Sequence, residues 1–269
     1  MARRNSPRPK KSLGQHFLRD EAVLRDIAAA IKRPDDSLVV EVGPGTGQLT
    51  AALLGRGFRV VAIERDRRLV EHLGRRFQGV LKLKVVEGDA RDIEIDALVP
   101  LADSFSMAGN LPYFAASRIV RHFLEQARQP TEIVVMLQRE VAREMTAKAG
   151  KYSMLSVGIQ TFGEAEMLFD VPATAFEPPP KVVSTVVRIV PRPTPLVPHQ
   201  RQDDFFRTVR GTFRHSRKQI HNSIVRGTPY EATAITAALH AAEIEQSRRP
   251  ETLTIPEWLA VVEALADTE

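Results

Sequence analysis

The run Asn110-Leu111-Pro112-Tyr113 has the composition of a site for a flat substrate carrying a planar amine. The lone pair of such a nitrogen is delocalised into its ring, so its use as a nucleophile requires acceptors that draw both N–H groups out of the plane. The side-chain oxygen of Asn110 is one acceptor. The backbone carbonyl of Leu111 is a second, because Pro112 biases Leu111 to extended backbone and stiffens the turn. Tyr113 offers a ring face on which a base can stack. The same residues also serve as plain punctuation between a strand and a helix, so their surroundings must decide.

Those surroundings contain a nucleotide site. After Leu38-Val39-Val40-Glu41-Val42 comes Gly43-Pro44-Gly45-Thr46-Gly47, then a helical pattern from Gln48. Glycines at alternate positions, here Gly43 and Gly45, let the backbone turn sharply beneath a ligand seated over a helix N-terminus. The next apolar run, Val60 to Ile63, ends in Glu64, where a carboxylate can accept from two ribose hydroxyls. The third ends Glu87-Gly88-Asp89 and places an acceptor where an adenine amine would lie. A dinucleotide and S-adenosylmethionine compete for this pattern. The third glycine comes one residue too early for the dinucleotide loop, nothing downstream supplies a hydride-transfer site, and Asn110 and Leu111 supply an amine site. The pattern favours the methyl donor.

The elements that must position these residues alternate. Leu38 to Val42, Arg59 to Ile63, Lys82 to Val86, Ser104 to Ala108 and Glu132 to Leu137 read as strands. Gln48 to Leu54, Arg67 to Phe77, Ala116 to Gln126 and Arg139 to Lys148 read as helices. Such alternation predicts a parallel sheet covered on both faces. Two later strands, Ala165 to Phe169 and Val182 to Val190, flank the proline-rich stretch Pro172 to Pro180 and are expected as an antiparallel edge pair. The fold class is therefore α/β, a Rossmann-like seven-stranded methyltransferase sheet with a small C-terminal all-helical domain. Prolines 191, 193, 195 and 198 mark a stiff linker. The expected domains are 1–190 for the methyl-transfer chemistry and 191–269 for a helical RNA-binding domain, with helices at Asp203 to Ile224, Tyr230 to Ala241 and Ile255 to Leu265.

Charge supports an anionic partner. The 269 residues hold 38 Lys and Arg against 33 Asp and Glu, a net +5. The excess is concentrated: Arg3, Arg4, Arg8, Lys10, Lys11 and Arg19 face only Asp20 at the start, and no acid occurs from Arg207 to Tyr230. On a continuous helix Arg207, Arg210, Arg214 and Arg217, with Lys218 beside them, form a stripe suited to phosphates. The absence of cysteine excludes disulfides and thiolate metal sites, and no apolar run reaches membrane-spanning length. The expectation is a cytoplasmic monomer that needs no metal and no membrane.

Taken together, the chain resembles the small-subunit ribosomal RNA adenine dimethyltransferases. The resemblance is carried by Lys11 to Leu18, Glu41 to Thr50, Asn110 to Tyr113, Gln138 to Ala142, Phe176 to Val182 and the basic stretch Phe213 to Ile220. It implies transfer of two methyl groups from S-adenosylmethionine to each of two adjacent adenosines, in a hairpin loop near the 3′ end of small-subunit (16S) rRNA within an immature small ribosomal subunit. It further implies that His16 and Leu18 contact the donor, although His16 stands where many members carry Asn. By the same resemblance Gly43 lies against the donor's methionine part, Glu64 holds its ribose and Asp89 its adenine. Asn110 and Leu111 bind the target amine, while Tyr113 and Phe176 sandwich the base. No titratable base is required, since a methylated ammonium is acidic enough to lose its proton to water. The large-subunit rRNA adenine methylases of the macrolide-resistance type share the cofactor and amine motifs. A non-catalytic RNA-binding assembly factor is the alternative of a different class.

Overall fold

The computed structural model describes residues 16–112 and 115–267. The chain divides into two compact units: the residues up to Ala142 with Ala165–Pro191, and Arg143–Glu164 with the residues from Arg192 on. The second unit thus takes in Arg143–Glu164, a stretch that the expected boundary at 191 left with the first.

In the first unit the order is β1 (Phe17–Leu18), α1 (Glu21–Ala30), β2 (Leu38–Val42), α2 (Gln48–Gly55), β3 (Arg59–Glu64), α3 (Arg67–Arg76), β4 (Leu83–Glu87), β5 (Phe105–Asn110), α4 (Ala116–Glu125) and β6 (Ile133–Gln138). Helix α5 (Arg139–Met145) then leads into α6 (Met154–Gln160), followed by β7 (Gly163–Val171), β8 (Phe176–Glu177) and β9 (Ser184–Pro191). Seven strands form one sheet in the order β4-β3-β2-β5-β6-β9-β7. The pairs from β4 to β6 are parallel, and β9 runs antiparallel to β6. Every residue of β2 is buried, as expected for a strand covered on both faces.

The chain runs outward from β2 to β4 and returns on the other side of β2 as β5. The point of reversal lies between β2 and β5, where open sheets of this kind form their ligand crevice. The two strands approach closely there: a Cβ on Gly109 would stand 2.5 Å from the Val42 carbonyl oxygen. Local signals set the helix starts. The Asp20 carboxylate accepts from the amides of Ala22 and Val23 to open α1, and Asp66 accepts from the amide of Arg68 to open α3.

The second unit is helical from α7 (Gln202–Phe213) through α8 (Ile220–Gly227) and α9 (Ala232–Ala241) to α10 (Ile255–Ala266). The single helix expected over Asp203 to Ile224 is two helices. Helix α8 folds back on α7 with backbones in contact, since a Cβ on Gly211 would lie 2.1 Å from the Gly227 carbonyl oxygen. Residues 214–219 make the turn, and Ser223 Oγ fastens it by donating within reach of the His215, Lys218 and Gln219 carbonyls. Fully buried Trp258 packs with Phe213 at a ring separation of 5.9 Å.

Candidate active site

The C-terminal ends of β2, β3, β4 and β5 border one cleft of about 1170 Å³ of atom-free space, part of it open to solvent. His16, Leu18, Gly43, Gly45, Glu64, Asp89, Asn110, Leu111 and Pro112 all line it. The structure therefore brings together, at one crevice, residues that span nearly a hundred positions of sequence.

The loop after β2 is shaped by left-handed backbone. Gly47 caps α2 at φ 82°, and a Cβ there would meet Phe77 at 2.6 Å and Leu73 at 2.7 Å. Arg76 of α3 donates to the Thr46 carbonyl and to Gln48 Oε1, which pins the loop from below. Above it, the Gly45 amide donates to Glu64 Oε2 at 3.1 Å, while Glu64 Oε1 accepts from the Asp66 amide at 2.9 Å. Burial pushes the Glu64 carboxyl above its ordinary range, and these amides partly offset that.

Asp89, at the end of β4, is the electrostatic opposite. Arg91 grips it through Nε at 2.9 Å and Nη2 at 2.5 Å and holds its pKa down to about 2. Glu41 within β2 also lines the cleft and was not singled out from sequence. It is 1% exposed, accepts from Thr50 Oγ1 at 2.6 Å, and is pushed by burial to a pKa of about 8. A lone Glu inside an otherwise apolar five-residue strand was the signal for it.

Across the cleft, the N-terminal segment is strapped down by β1 pairing antiparallel with β8, Phe17 opposite Glu177 and Leu18 opposite Phe176. His16 Nδ1 donates to the Pro178 carbonyl at 2.8 Å. The His16 carbonyl in turn accepts from Asn110 Nδ2 at 3.2 Å. With its nitrogen so engaged, the Asn110 amide has its orientation set and Oδ1 is the acceptor left for a ligand.

Two expected site residues stand differently. Tyr113 lies outside the described residues. Phe176 is not among the residues that border the cleft: it is 5% exposed, stands opposite Leu18 in the β1–β8 pair and packs in the apolar core that includes Leu18 and Leu24. The basic residues Arg207, Arg210, Arg214, Arg217 and Lys218 are all exposed, as a phosphate-tracking surface requires. Only Arg207 and Arg210 lie within α7, however. Arg214 is its C-cap, and Arg217 and Lys218 sit in the turn before α8, so the surface is a helix plus a corner.

The turn at the end of β5 brings the Asn110 amide to the same crevice as the glycine loop, Glu64 and Asp89. Fold and site together are those of a methyltransferase. A family model described as ribosomal RNA adenine dimethylase matches residues 7–267, and the chain belongs to that family. It is 40% identical over 257 residues to the ribosomal RNA small subunit methyltransferase A of Desulfitobacterium hafniense, covering 95% of this chain and 91% of that protein. It is also 40% identical over 267 residues to the protein of the same name from Myxococcus xanthus, covering 98% and 93%. Among solved structures, the 23S rRNA methyltransferase ErmE superposes with a TM-score of 0.71 at 30% identity, over 93% of this chain and 99% of that one.

Proposed function

We propose that this protein methylates the N6 amines of two adjacent adenosines, to the dimethyl state, in a hairpin loop near the 3′ end of small-subunit rRNA, with S-adenosylmethionine as donor. The observation that carries this reading is the Asn110 amide, held through its nitrogen by the His16 carbonyl so that Oδ1 is presented as an acceptor. The donor set of the cleft suits a cationic adenosyl ligand. Carboxylates end β3 and β4, apolar Leu18, Ile63 and Ile119 line the walls, and the glycine loop lets backbone come close. Glu64 would hold the ribose hydroxyls, Asp89 the adenine amine, and Gly43, Gly45, His16 and Leu18 the remainder.

S-adenosylmethionine, when bound, supplies an electrophilic methyl group. The residues of this chain handle the amine. Asn110 Oδ1 and the Leu111 carbonyl accept its two N–H bonds, steer its lone pair, and stabilise positive charge as it develops on nitrogen. Neither acceptor needs to titrate, so the reaction requires no side-chain base. Looped RNA is favoured because an unstacked adenine costs less to present.

The exposed arginines of α7 and the turn after it would carry phosphates, giving the second unit the role of docking on an immature small subunit. A monomer suffices for this, and the reaction belongs in the cytoplasm, where subunits are assembled. Among the described residues no helix is long and apolar enough to cross a membrane.

The likeness to a 23S rRNA methyltransferase favours a second reading, action on the large subunit. One experiment separates the two: undermethylated small and large subunits are incubated with the purified protein and isotopically labelled donor, and modified adenosines are mapped by mass spectrometry. Label on two neighbouring adenosines of the small subunit is the expected result. Label confined to the large subunit, or none, overturns the proposal.

A further inference from the structure

The end of β4 carries a side-chain arrangement that the methyl-transfer reading leaves unused. Asp89 Oδ1 accepts from the Arg91 amide at 3.1 Å and from its Nε at 2.9 Å, and Oδ2 accepts from Nη2 at 2.5 Å. The same two-residue spacing recurs at the end of β3. There Asp66 Oδ1 accepts from the Arg68 amide at 3.2 Å and Nε at 3.1 Å, and Oδ2 from Nη2 at 2.7 Å. At β3 the arrangement opens a helix, because Asp66 is the N-cap of α3. At β4 no α-helix follows: the next helical residues are a single 3-10 turn at Ile95–Ala97. The fork on Asp89 therefore caps nothing, and it stands on the wall of the cleft with both partners lining it.

What the fork does to Asp89 follows from counting lone pairs. Each carboxylate oxygen offers two. Arg91 takes both on Oδ1 and one on Oδ2. Arg65 Nη1 stands 3.5 Å from Oδ2, within ion-pair range but beyond a good hydrogen bond. One acceptor position on Oδ2 is thus left for a donor in the cleft, and the carboxylate cannot rotate away without breaking three contacts.

We propose that Arg91 is a specificity-determining positioning residue for the methyl donor: by locking Asp89, it leaves one outward lone pair that accepts a purine 6-amino group and rejects a 6-oxo group. The inference rests on the methyl-donor reading. A fixed carboxylate facing a 6-oxo purine meets acceptor with acceptor, whereas an unlocked one turns aside and tolerates it. Arg91 in this role touches Asp89, not the reacting atoms.

The test is calorimetric binding of S-adenosylhomocysteine and of its 6-oxo analogue S-inosylhomocysteine to the wild type, Arg91→Ala and Arg91→Lys. The wild type should prefer the amino ligand by roughly tenfold to a hundredfold, the worth of one hydrogen bond to a charged group. Arg91→Ala should narrow the ratio to about threefold or less, chiefly by weakening the amino ligand. Arg91→Lys, which keeps the charge without the planar fork, should narrow it likewise. Equal weakening of both ligands by both variants overturns the proposal in favour of a purely structural pair. Tighter binding of the amino ligand by Arg91→Ala overturns it too, since Arg91 would then compete for Asp89. Failure of the wild type to bind either ligand overturns the methyl-donor reading itself.

Discussion

Asn110 and His16 are joined across 94 positions of sequence by one hydrogen bond, from the Asn110 side-chain nitrogen to the His16 backbone carbonyl at 3.2 Å. The contact uses the backbone of residue 16, while the side chain of that residue is engaged separately, with the Pro178 carbonyl. The contact means that the Asn110 amide and the N-terminal segment are positioned as one unit.

Replacing Asn110 by Ala removes an acceptor from an amine that becomes charged, worth about 1 to 3 kcal/mol. The rate of methyl transfer in single-turnover assays should fall by roughly tenfold to a few hundredfold. A variant with unaltered transfer would remove Asn110 from the chemistry.

Glu41 titrates near pH 8 in the folded protein against 4.5 ordinarily. Between those values the folded state keeps a proton that the unfolded chain has released, so rising pH destabilises the fold across that window. Glu41→Gln keeps an acceptor for Thr50 and removes the titration. Its melting temperature should fall less than that of the wild type between about pH 5 and pH 8, and the remaining slope should reflect Glu64, whose pKa is shifted in the same direction. Parallel curves would contradict the assignment.

Substitution of Arg207, Arg210 and Arg214 by Gln should weaken binding to small-subunit RNA and reduce the slope of log affinity against log salt by about 2 to 3. S-adenosylhomocysteine affinity should be unchanged. If the slope survives intact, the RNA path lies elsewhere.

Gly211→Ala forces a methyl group against the Gly227 carbonyl, backbone against backbone with no side chain to yield. A loss of about 1 to 3 kcal/mol or more is expected in denaturant unfolding. Gly227→Ala should cost a similar amount, and the double variant less than the sum, because the first substitution already parts the helices.

Four of the five parallel strands were legible as short runs rich in β-branched residues, and β5, which has none, by its place in the alternation. The cleft residues were legible because they follow directly on those runs. Helix α1 went unassigned although its signals were present: Asp20 caps it, and Leu24, Ile27, Ala28 and Ile31 recur at helical spacing and are buried. Other features had no local signature. The apolar face of α7 resumes in phase in α8, Ile220 standing seven residues after Phe213, and the break between them is sealed by the return of Gly227 onto Gly211. Phe176 reads as an aromatic beside a proline-rich loop, yet its strand partner Leu18 lies far away in sequence, and its burial in the core depends on that long-range pairing. The membership of Arg143–Glu164 in the helical unit is equally a matter of tertiary contact.

The two-stranded strap of Phe17–Leu18 on Phe176–Glu177 sets an order for biogenesis. A nascent chain that has emerged only as far as β6 already possesses the glycine loop, Glu64, Asp89 and Asn110, but not the strand that anchors residue 16. The crevice therefore cannot take its final form until translation has passed residue 177. A ribosome stalled before that point would carry a crevice open along one side.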